Sequence, residues 1–94
     1  MNTKQPKNLV LVMGAKEDEL HDVYMFLTKE GFTAWFNKMH KGLSYNVSVD
    51  PKEFDKAMET AINYCMANEY DDIICLLGPC QSIKDIRTSR ENTL

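Results

Sequence analysis

A basic excess, glycine-rich loops and long apolar runs are all missing from this chain. Lysine and arginine number 11 against 14 aspartates and glutamates, for a formal charge of -3. Wholesale attraction to nucleic acid or to an anionic membrane is therefore not expected. Only four glycines are scattered through 94 residues, and neither G-x-G-x-x-G nor G-x-x-x-x-G-K-[ST] follows the first apolar run. That excludes a dinucleotide fingerprint and a P-loop. The apolar run Ile73 to Leu77, which Leu9 to Met13 equals in length, is far shorter than a bilayer span, and the opening MNTKQPKN lacks a secretory apolar stretch. The mature chain is accordingly expected to be the translated one. Cys65, Cys75 and Cys80 are odd in number and lack C-x-x-C spacing, which points away from a disulfide framework and toward a reducing cytoplasm. His21 and His40 stand far apart without clustered thiols, so neither a metal nor a cofactor is expected.

What is present suits one ordinary globular domain over 1–94, 44% hydrophobic and 27% charged, with a polar tail at 1–7 and a frayed end at 92–94. NLVLVMG (Asn8 to Gly14) reads as a strand buried on both faces. Leu20, Val23, Tyr24 and Leu27 then recur at helical spacing, between acidic Glu17, Asp18 and Glu19 and the stop Gly31, which predicts a helix over 17–30. FTAWFN (Phe32 to Asn37) follows as a second strand. LSYNVSV (Leu43 to Val49) alternates apolar and polar residues and fits either a short edge strand or an ordered loop.

Asp50, Pro51 and Glu53 supply a cap, a first-turn proline and a capping-box partner for a second helix, to about Asn68. Its apolar stripe is Phe54, Ala57, Met58, Ala61, Ile62 and Cys65. IICLL (Ile73 to Leu77) reads as a third buried strand, and Ser82 with Asp85 caps a last helix over 83–91. The β-α-β-α-β-α order with continuous apolar strands predicts an α/β fold. Its sheet is three-stranded and parallel, order 2-1-3, with helices on both faces, half of a flavodoxin-like fold.

In such a sheet, ligands bind beyond the carboxyl ends of the strands. That rule selects Gly14 and Lys16 after strand one, Asn37 and His40 after strand two, and Gly78 and Ser82 after strand three. Lys84 and Arg87 on the first turns of the last helix add positive charge and amide donors, a setting for an anion. Cys80 and Arg87 are seven positions apart, one too many for a C-x5-R phosphate loop. The strand ends lack the acidic residues of a phosphate-accepting receiver or a Mg-dependent toprim site. Phe32, Trp35 and Phe36 have no interleaved basic residues, so nothing marks a nucleic-acid surface.

The line from Val10 through Gly42 resembles the opening of a TIR domain. Gly31, Ala34, Trp35, Phe36 and Asn37 match its G-(two residues)-[VA]-W-F-[DN] strand, and AMETAINYC before DDIICLLGP is similar to its next helix and strand. Nucleoside 2-deoxyribosyltransferase-like proteins share the fold. The resemblance implies binding of a nucleotide-type anionic ligand, NAD-related or a nucleoside phosphate. If there is turnover, it implies hydrolysis or transfer at an N-glycosidic bond, with Glu91 as the carboxylate facing a cationic transition state. The alternative is a protein-interaction module, a small regulator or inhibitor. A TIR domain continues past the third strand. With the chain ending at Leu94, strand three is expected as an uncovered edge that pairs in a homodimer or with a partner protein, with Ile83 and Ile86 as apolar anchors.

Overall fold

Eight elements follow one another in the computed structural model, which describes residues 8–92: β1 (Leu9–Gly14), α1 (Glu17–Lys29), β2 (Ala34–Met39), β3 (Ser44–Val49), α2 (Phe54–Ala67), β4 (Ile74–Cys75), β5 (Gln81–Ser82) and α3 (Ile83–Glu91). The tail expected at 1–7 lies outside the described residues. Local signals account for most of the boundaries. Glu17, Asp18 and Glu19 occupy the first turn of α1, where the helix dipole favours them. The helix ends in a Schellman turn, with Phe32 N–H donating to Leu27 C=O at 3.0 Å and Gly31 N–H to Thr28 C=O at 3.0 Å. Gly31 takes a φ of 98°, which a side chain would strain. Asp50 caps the entry to α2 by accepting from Lys52 N–H at 2.9 Å, and Pro51 opens the 3-10 turn Pro51–Glu53 that leads into it. Glu53 does not close a capping box; its carboxylate accepts from Thr33 N–H at 2.9 Å and ties the start of β2 to α2.

The expected three-stranded parallel sheet is overturned. The five strands run in the order β2-β3-β1-β4-β5, and every neighbouring pair is antiparallel. β3 lies between β1 and β2, and β1 lies between β3 and β4. The first six elements therefore form two interleaved split β-α-β units, the ferredoxin-like arrangement, extended by β5 and α3. The doubly wound form implied by the TIR resemblance falls with the parallel sheet.

Two sequence features account for the difference. Leu43 to Val49 was open between edge strand and loop, whereas Ser44–Val49 is a central strand whose alternation sends Tyr45 and Val47 to the core and Asn46 and Ser48 to the other face. The continuous apolar run of β1 reflects a bulge at Leu11, where the register slips between Val10 and Val12. Two consecutive residues, Leu11 and Val12, are thereby both buried without a second layer of helices.

The helices pack on one face of this sheet. Leu20, Val23 and Leu27 of α1, Ala57, Met58, Ala61, Ile62 and Cys65 of α2, and Ile83 and Ile86 of α3 join Val12, Val47, Val49 and Cys75 in one core. Ile83 and Ile86 are 0% and 5% exposed, so the residues expected to anchor a partner are core residues of this chain. The edge expected on strand three is likewise covered. β5 folds back on β4, with Gln81 opposite Cys75 and Ser82 opposite Ile74.

Candidate functional site

With all three helices on one side, the other face of the sheet has no covering layer among the described residues. Cross-strand pairs define its occupants: Trp35 with Ser48 and Val10, Asn37 with Asn46 and Met13, Met39 with Ser44, and Ile74 with Met13 and Ser82. None of these strand positions carries a charge, in a chain that is 27% charged. Met13 and Trp35 are each 36% exposed and Met39 40%. Leu43, in the loop beyond Met39, is 77% exposed. Between these side chains runs a polar seam in which the Asn37 amide donates to Asn46 Oδ1 at 2.9 Å and to Ser48 Oγ at 3.3 Å. Asn46 and Ser48, 8% and 1% exposed, are buried on this face. A solvated antiparallel face ordinarily carries polar and charged residues. Tryptophan and methionine without lysine or glutamate is instead the composition of an interface core.

The ligand residues read from the sequence are distributed differently from the parallel scheme. Gly14 ends β1 next to Lys16, and both line a 280 Å³ pocket with Glu19 and Asp72. Lys16 Nζ lies 3.6 Å from Asp72 and 3.9 Å from Glu19, so its charge is matched by carboxylates. Burial pushes the Glu19 carboxyl up from its ordinary value, against the opposing pull of Lys16. Asn37 is in the seam of the open face. His40 sits in the β2–β3 loop with a φ of 50°, its Nδ1 2.9 Å from Ser44 Oγ. Gly78 lies in the β4–β5 connection, which leaves the sheet toward the opposite end of β1 from Gly14, because Leu76 N–H already bonds to Leu11 C=O.

The start of α3 is occupied by the chain itself. Ile83 N–H donates to Ile73 C=O at 2.9 Å, Lys84 N–H to Asp71 C=O at 3.1 Å, and Asp85 N–H to Ser82 Oγ at 3.1 Å. Arg87 donates to Asp71 Oδ1 at 2.8 Å, a bond that raises its pKa further, and to Met66 C=O at 3.2 Å. Glu91 is exposed at the last position of α3. The antiparallel sheet thus places Gly14 and His40 at one end, Gly78 toward the other, and Asn37 on the open face, while Lys16 and Arg87 are ion-paired.

Apart from the open face, a 390 Å³ groove between α2 and α3 has Phe54, Met58, Ile62, Leu77 and Ile86 among its walls. The Arg90–Glu59 ion pair, 3.6 Å, lies at its rim. No group of three or more His, Cys, Asp or Glu side chains that could hold a metal is found among the described residues. No helix among them is long and apolar enough to cross a membrane. Comparison of the chain with protein-family models, with curated proteins and with solved structures returned no match. The sequence reading passed over Met13, Met39, Asn46 and Ser48. The signal that locates them is the period-two alternation of SYNVSV, which in a central strand means one covered face and one open face.

Proposed function

We propose that this chain is a protein-interaction module that docks a partner protein through the uncharged open face of its sheet. The observation that carries this reading is the absence of any charged strand residue on that face, with Trp35, Met13 and Met39 exposed on it. Burying such a face strands no unpaired charge, and tryptophan is the residue type most enriched among binding hot spots. The fitting partner surface is itself apolar and uncharged, with amide or hydroxyl groups to meet the Asn37–Asn46–Ser48 seam. The fold alone carries no function. A nucleotide at the strand ends lacks comparable support, since Lys16 and Arg87 are paired with Asp72 and Asp71.

The test uses a photo-crosslinking residue in place of Met13 or Met39, with Met25 on the exposed side of α1 as control, in cells that express the chain. The reading expects a protein crosslinked from positions 13 and 39 but not from 25. A Trp35→Ala variant that keeps its helical and sheet signal should bind the identified protein about 30-fold more weakly, a hot-spot loss. Equal crosslinking from Met25, or unchanged affinity of Trp35→Ala, would overturn it. Because Trp35 is the single tryptophan, its emission follows the same event directly.

A further inference from the structure

β2 is an end strand of the sheet, bordered by β3 on one side and by no strand on the other among the described residues. Its hydrogen-bonding polarity follows from one bond. Asp50 N–H donates to Thr33 C=O at 3.1 Å, which turns the Thr33 carbonyl toward β3, while Thr33 N–H goes to Glu53. Alternation then turns the N–H and C=O groups of Trp35, Asn37 and Met39 toward β3, and those of Ala34, Phe36 and Lys38 toward the open edge. This six-residue strand contains no proline and pairs with β3 without a register shift, and Lys38 is its only charged residue. Natural edges are ordinarily blunted by proline, a bulge or charged side chains, and Lys38 alone supplies such a device here.

We infer that this edge pairs with β2 of a second copy of the chain, antiparallel, joining two sheets into one. The choice of a second copy rests on the residue pattern. A strand added here must place uncharged residues beside Trp35, Asn37 and Met39 on the open face, and beside Ala34 and Phe36 on the helix side residues with an apolar body, an aromatic ring or the aliphatic stem of a lysine. β2 itself alternates in that way. With the two-fold axis at Phe36, Trp35 faces Asn37 of the second copy, and Lys38 faces Ala34, so no like charges meet. A paired β2 would also set two uncharged faces side by side. The contact is small for a permanent dimer, so the association is concentration-dependent.

Sedimentation equilibrium over a wide concentration range, together with amide hydrogen exchange by NMR, tests this. The weight-average mass should climb from 10.8 kDa toward twice that value. In step with it, the amides of Ala34, Phe36 and Lys38 should become protected while those of Trp35, Asn37 and Met39 do not change. Proline is tolerated where the N–H faces outward on an edge, so Lys38→Pro should fold and weaken the dimer about tenfold or more, through lost cross-copy hydrogen bonds. Ala34→Pro supplies a second variant of the same kind. A chain that stays at 10.8 kDa throughout, or a dimer that leaves those three amides unprotected, overturns the inference. The inference stands on the strand edge, so it can fail while docking on the open face holds, and the reverse.

Discussion

Asp22 accepts two phenolic hydrogen bonds on one oxygen, from Tyr64 at 2.9 Å and from Tyr70 at 2.6 Å, and so links α1 to the end of α2 and the segment after it. Tyr64 also stacks on Phe26, with ring centroids 3.8 Å apart. The Tyr70 hydroxyl is pushed well above its ordinary value, first by its bond to Asp22, and the Tyr64 hydroxyl is raised, first by burial. Burial also raises the Cys65 thiol to about 12 and the Cys75 thiol to about 11. All four folded-state values lie above the unfolded ones, so the folded chain holds these protons more tightly than the unfolded chain does. Their contribution to stability is intact below the ordinary thiol and tyrosine values of 9.0 and 10.0 and is lost as pH rises beyond them. Urea midpoints measured from pH 7 upward should hold to about 9 and then fall. Tyr70→Phe should lower neutral stability by about 1–2 kcal/mol, the loss of a bond to a charged acceptor. It should also flatten the decline above pH 10. Gly14 belongs to the same scale. A Cβ there would stand 2.9 Å from Leu20 Cδ2, so Gly14→Ala should cost about 1–3 kcal/mol by crowding α1 off β1, measurable as a lower melting temperature. The glycine was legible in the sequence as a strand end; that it makes room for Leu20 was not, because the contact joins two elements.

Single elements were the most legible level. α3 spans the expected 83–91, and Ser82 caps it as its spacing from Asp85 predicts. Ser82→Ala should therefore lower stability by about 1 kcal/mol, with faster amide exchange confined to the first turn of α3. The end of α2 was less legible. It closes in the same Schellman pattern as α1, Tyr70 N–H donating to Cys65 C=O at 2.9 Å, but the left-handed position is Glu69 at a φ of 57° instead of a glycine. Glu69→Gly should stabilise the chain by about 1 kcal/mol by relieving a conformation that side chains resist, seen as a higher urea midpoint with an unchanged slope. Strands were harder to read than helices. β4 is only Ile74–Cys75; its apolar neighbour Ile73 is core and Leu77 packs half-buried against the core, and neither extends the ladder. A helix carries its own hydrogen bonds and period in sequence, whereas a strand takes both from a neighbour.

At the scale of the whole molecule, α3 and β5 complete a sheet that would otherwise end on β4, and they supply Ile83 and Ile86 to the core. A chain cut after Leu77 should lose its cooperative unfolding transition and associate into large species, because it exposes the edge of β4 and the apolar flank of α2 together; light scattering and a thermal melt would show it. The residue pattern of this chain determined its three helices, their caps and stops, and which side chains are apolar enough for the core. Each of these rests on interactions within a few positions along the sequence. Tertiary structure alone decided that β3 enters between β1 and β2, that the helices share one face, and that Lys16 and Arg87 spend their charge on Asp72 and Asp71. Strand order and ion pairing depend on residues distant in sequence, whose approach no local period encodes. That same pairing leaves Trp35, Met13 and Met39 together on a face that carries no charged strand residue and no covering layer among the described residues.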